Sequence, residues 1–216
     1  MSVFYKALFG VALMLVLLPG CKEKNNATPP PARDSVATEI PDQAQQIIED
    51  NNLYADVDLS PMDMSYFPAK YPQHKISDPQ APPPVMRVIY SRPHLQGRRL
   101  FEDILKYGQT WRLGANEATE LNVFRPVSIG GKKIPVGRYS LYAIPNAGYW
   151  TIAINSDLDL WGLKQDATKD IIRVKAAVTY YNPVMEYFTM VFEPTETGAN
   201  LMMAWDDVLA KLPIKI

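Results

Sequence analysis

Apolar and polar positions alternate with a period of two along much of the chain. In "TELNVF", Thr119, Leu121 and Val123 fall on one face and Glu120 and Asn122 on the other, the spacing of a half-buried strand. Ile172, Val174, Ala176 and Val178 alternate against Arg173 and Lys175, and Phe188, Met190 and Phe192 alternate about Thr189. Further strand-like runs cover 85–91, 137–144, 149–154, 199–205 and 208–216. "VSIGGKKI" is a hairpin signal, because Gly130 and Gly131 can supply the positive φ angles of a tight turn. "RRLFEDIL" (98–105) places Leu100, Ile104 and Leu105 on one side of a brief helix. Short strands with turn residues between them, and no long helical period, predict a mainly β fold: an antiparallel β-sandwich (or small barrel) of about eight to nine strands with one or two short helices.

The pattern changes upstream of residue 85. Between residues 56 and 84 the prolines 61, 68, 72, 79, 82, 83 and 84 are interleaved with Met62, Met64, Tyr66, Phe67 and Tyr71. Prolines at that density argue against regular elements, while the large apolar residues argue against free disorder. An extended arm laid across the β domain (85–216) meets both demands. Residues 21–55 are polar and proline-bearing, and they read as a disordered tether whose entropy of ordering would not be repaid. Within it "PDQAQQIIEDNN" allows a short helix opening at Pro41 and anchored by Ile47 and Ile48.

The first 20 residues form a separate segment. One cation at Lys6 precedes twelve largely apolar residues, Ala7 to Leu18, and then small residues before Cys21. This is a signal-peptide layout, too short to span a membrane. "LLPGC" resembles the lipobox of bacterial lipoproteins, which implies a lipid on the Cys21 sulfur. Cys21 is the single cysteine of the chain, so no disulfide partner competes for it and the domain must be held by core burial. The resemblance implies a lipid-anchored protein of the bacterial cell envelope. "CKEK" carries no aspartate after the cysteine, which resembles outer-membrane sorting.

Charge narrows the partners. The chain has 22 Lys and Arg against 23 Asp and Glu, and no basic field for nucleic acid. Two histidines, His74 and His94, lie outside any metal-ligand spacing, so a protein-built zinc site is not expected. No cofactor motif stands out. His94 reads as an exposed loop residue. Asp157 and Asp159 lack the full calcium-loop series and read as a solvated turn.

"WRLGANEATEL" concentrates the candidate chemistry. Gly114 and Asn116 tolerate left-handed backbone, so a tight turn is expected just before the strand. The turn would bring Arg112 near Glu117, where a guanidinium can pair two-pronged with a carboxylate. Such a pair is either a structural clamp on a long loop or, with Asn116 and an apolar wall from Trp111, the polar end of a ligand site. Composition alone favours the clamp.

The motifs "YSRPHLQGRRLF", "YGQTWRLGANEATEL", "PVGRYSLYAIP" and "WTIAIN…WG", in this order, resemble domain-of-unknown-function family 2911. "SPMDMSYFPAKYP" resembles the arm of its lipoprotein members. The resemblance implies a mostly β, envelope-facing domain and puts Tyr90, Arg92, Pro93, Gly97, Arg98, Trp111, Arg112, Gly114, Asn116 and Glu117 in signature positions, with no catalytic role attached to any of them.

The function expected from these readings is a lipid-anchored binding or accessory module for a small polar ligand, a glycan or a partner protein, with the oligomeric state open. Twelve tyrosines and four tryptophans leave stacking surfaces available. One alternative is a glycosidase-like hydrolase using Glu117 as general acid or base, with a second carboxylate such as Glu120 or Asp157 roughly 5 to 9.5 Å away. The other is a purely structural envelope protein.

Overall fold

The computed structural model describes residues 58–216. The signal peptide, Cys21, and the tether with its short helix lie outside the described residues.

Nine strands form one antiparallel sheet that is not closed, in the order β1-β2-β3-β6-β7-β8-β9-β4-β5. They are β1 (Met62–Phe67), β2 (Met86–Ser91), β3 (Thr119–Val123), β4 (Val127–Ile129), β5 (Lys132–Ile134), β6 (Gly137–Pro145), β7 (Tyr149–Asn155), β8 (Asp170–Thr195) and β9 (Gly198–Lys215). Helical structure among the described residues is brief: α1 (Tyr71–Ser77), a π-helical turn at Leu100–Ile104 and a 3-10 turn at Ala167–Lys169. The mainly β, antiparallel expectation holds. The two-residue turn at Gly130 and Gly131, both at positive φ, joins β4 to β5 as the sequence predicts.

The proline-rich arm differs from its expectation of having no regular elements. Met62–Phe67 pairs along its whole length with β2, and Tyr71–Ser77 is helical. The prolines do not prevent this because of where they stand. Pro61 and Pro68 flank β1 without entering it, and Pro72 sits in the first turn of α1, where its missing N–H has no helical partner to lose. β1 is an edge strand, and it does not have to donate on both sides.

Four predicted runs merge into two long strands. Residues 171–178 and 186–192 both belong to β8, and 199–205 and all but the last residue of 208–216 belong to β9. The inward residues of β9 explain how one strand serves two runs. Leu201, Met203 and Trp205 are buried, and then Val208, Ala210, Leu212 and Ile214, so the alternation slips by one position between them. Asp206, at φ 55° and beside the irregular pairing at Met185, absorbs the slip. A bulge of this kind bends the strand and keeps both halves facing the core.

The bend lets the sheet curl over itself. Ser65 Oγ on β1 donates to the Met190 carbonyl on β8 at 2.6 Å. Phe188 N–H donates to Pro93 O at 2.9 Å and Leu95 N–H to Glu186 O at 3.0 Å. Trp111, Trp150, Phe188 and Trp205 meet inside the curl, with ring centroids 4.9 to 5.7 Å apart around Trp111, and the buried cluster extends from there along every major strand. Four aromatic rings in edge and stacked contact contribute both large apolar burial and oriented ring–ring attraction.

Candidate functional site

The 111–118 loop is closed by its own polar groups. Thr119 Oγ1 donates to Leu113 O at 2.6 Å, Trp111 Nε1 to Gly114 O at 3.0 Å and Thr119 N–H to Arg112 O at 3.3 Å. Asn116 has the left-handed backbone expected of it, with φ 55°, and Leu113 shares that conformation. Asn116 Nδ2 donates to Asp58 Oδ2 at 2.8 Å, tying the loop to the start of the described chain.

The turn does not bring Arg112 and Glu117 into an ion pair. Arg112 reaches away to the 156–163 loop, donating from Nη1 to the Trp161 carbonyl at 3.1 Å with its guanidinium 5.8 Å from the Trp161 ring centroid. Glu117 is exposed. Burial lowers the Arg112 pKa, and the nearby Glu117 charge only partly offsets that effect. A clamp is therefore present with a different partner. Ala118 N–H adds a second tie to the same loop through Leu160 O at 3.0 Å.

Three of the four residues singled out in the sequence are divided between two clefts. Trp111 and Arg112 line a cleft of about 380 Å³, together with Arg98, Thr110, Gly162 and Trp205 among others. Glu117 lines a second cleft of about 300 Å³ between the 156–163 loop and the outer face of β3 and β6, with Glu120, Ser140, Asp159 and Trp161. Asn116 lines neither. Trp111 is itself 8% exposed and belongs to the core, so the cleft has a tryptophan floor that the fold already requires.

The polar lining of the larger cleft is cationic. Among the described residues, Arg98 and Arg112 face it and no carboxylate does. Arg98 is braced by donating to Leu95 O at 2.8 Å and His94 O at 3.0 Å, which fixes a long side chain and leaves a donor over. Among the described residues, Arg112 makes one hydrogen bond and retains most of its five donors. Gly162 brings the two loops together. At φ 79° it lies so close that a Cβ there would be 3.0 Å from the Cβ atoms of Arg112 and Ala118.

The second cleft has the opposite sign. Arg138 engages both oxygens of Glu120, at 2.6 and 3.2 Å, and Asp159 at 2.8 Å, which holds Arg138 firmly in its charged form. Glu120, the second carboxylate that a hydrolase with Glu117 would call on, is thus already bound two-pronged. Asp157 lies elsewhere, paired with Lys169 at 2.6 Å. His94 is not a free loop histidine: it bridges to Tyr187 and stacks on that ring at 5.0 Å.

Arg98, Ser140 and Asp159 are the cleft residues that the reading of single motifs did not assign. Arg98 was visible as a signature position. Ser140 carries no signal of its own in the sequence, and its place in a cleft depends on the 156–163 loop folding over it.

Residues 72–214 match the family described as protein of unknown function (DUF2911), and the chain belongs to that family. No curated protein and no solved structure matches the chain significantly.

Proposed function

We propose that this DUF2911 domain is a binding module of the cell envelope, held at a membrane by lipid on Cys21, and that it takes a small ligand bearing an anionic group. The observation that carries the ligand reading is the cleft of about 380 Å³ whose polar lining, among the described residues, includes Arg98 and Arg112 and no carboxylate, over a floor of Trp111 and Trp205. Ligand sites of this size join an apolar floor to a few placed polar groups. A guanidinium offers paired donors that match a carboxylate or phosphate, and it gains strength where water is partly excluded. The anchor reading is supported by "LLPGC" and by Cys21 being the single cysteine of the chain.

Two experiments test the two parts. Tryptophan-fluorescence titration with benzoate, phenyl phosphate and the neutral benzyl alcohol should show saturable binding of the anions alone, lost in Arg112→Met while thermal unfolding stays cooperative. Equal response to the neutral compound would remove the anion reading. In membrane fractionation Cys21→Ala should move the protein to the soluble fraction, and unchanged partitioning would remove the anchor reading.

A further inference from the structure

We infer that the cleft beneath the 156–163 loop is a second site, distinct from the cationic one, and that it takes a single sugar ring. The inference rests on Ser140. Its hydroxyl is buried in a residue 2% exposed, lines the cleft, and has no hydrogen-bond partner. Buried polar groups are normally paired, so an orphan facing a cleft points to a partner supplied from outside.

Its neighbours across the sheet do not satisfy it. Ser140 pairs in register with Glu120 on β3 and Asn155 on β7. The Asn155 amide donates to Asp166 O and Asp170 Oδ1, both at 2.8 Å, and its oxygen accepts from Asp157 N–H at 2.7 Å. Glu120 is turned to Arg138.

The rest of the lining suits a ring with an apolar face and hydroxyl donors. Trp161 is 54% exposed, the only one of the four tryptophans outside the core, and an indole left open beside polar groups is a stacking surface. Glu117 is exposed on the same cleft and, among the described residues, carries no ion pair. Its carboxylate accepts without donating, as the hydroxyls of a sugar require. Glu120 and Asp159 add acceptors that Arg138 holds in place. Arg112, 5.8 Å from the Trp161 ring centroid, steadies that ring.

The test uses saturation-transfer NMR and fluorescence titration of the folded domain with glucose, galactose, mannose and N-acetylglucosamine, and with choline as a hydroxylated cation. The expected result is saturable binding of at least one of the four sugars, weakened about tenfold or more in Trp161→Ala and in Glu117→Gln. Ser140→Ala, which removes only the buried orphan, should weaken it as well without lowering the unfolding temperature. Arg98→Gln, in the other cleft, should leave it unchanged. No saturable binding by any of the four, binding indifferent to Trp161→Ala and Glu117→Gln, or binding of choline alone would each overturn the inference.

Discussion

The main-chain N–H of Leu100 donates to Asp206 Oδ2 at 3.0 Å, joining the start of the π-helical turn to a carboxylate that is 2% exposed. Asp206 holds this position from left-handed backbone at the bulge of β9. Arg99 lies 3.2 Å from the other oxygen, without hydrogen-bond geometry. One residue thus turns the strand and caps the segment that leads into the larger cleft. Asp206→Ala leaves a buried N–H without an acceptor and puts a Cβ residue with no local hydrogen bond at positive φ. A loss on the order of 3 kcal/mol is expected in urea unfolding. Asp206→Asn keeps an oxygen and tolerates the backbone, so its loss should be smaller, about 1 kcal/mol.

Gly162 is the second position where backbone decides the site. A methyl group there meets Arg112 and Ala118 at 3.0 Å, in a left-handed conformation that L side chains resist. Gly162→Ala should cost on the order of 2 kcal/mol. It should also shift the chemical environment of Trp161 in NMR spectra, because the loop must lift from β3. An unchanged spectrum would mean that the loop is not held there.

Much of the sheet was legible because alternation reports burial directly. "TELNVF" and "VSIGGKKI" became β3 and the β4–β5 hairpin, although Asn122, on the polar face of β3, is buried as well. The continuity of β8 and β9 was not legible. A bulge at Asp206 and irregular pairing around Met185 reset the alternation inside one strand, and a reader of local periods sees two strands there. The site was half legible for a related reason. Gly114 and Asn116 announced the turn, but the direction of Arg112 depends on a loop some fifty residues downstream, at Trp161.

Burial of tyrosines gives the domain an alkaline limit. Desolvation raises the pKa of Tyr90 and of Tyr142 above the ordinary 10.0, Tyr142 also through its hydrogen bond to Asp170. The folded state then keeps a proton that the unfolded chain releases. The contribution is whole below pH 10 and is lost as pH rises from there through the folded-state pKa values. Urea unfolding should show stability falling above pH 10, with a shallower fall in Tyr90→Phe. Parallel pH profiles for parent and variant would show that Tyr90 ionises as freely folded as unfolded.

The separation of Arg112 from Glu117 makes a quantitative demand. Two exposed or half-buried charges that do not touch interact weakly through solvent. Glu117→Gln should therefore change unfolding free energy by less than about 0.5 kcal/mol. Arg112→Met removes the donor to the Trp161 carbonyl, and it should cost about 1 kcal/mol, the net worth of one hydrogen bond. The double variant should equal the sum of the single ones within about 0.5 kcal/mol. Trp161 supplies a backbone carbonyl, so Trp161→Ala should preserve the clamp, and Arg112→Met should cost nearly as much in that background as in the parent. A coupling energy between Arg112 and Glu117 well above that margin would mean that the two side chains meet in solution, and the assignment of the clamp to the 156–163 loop would fall with it.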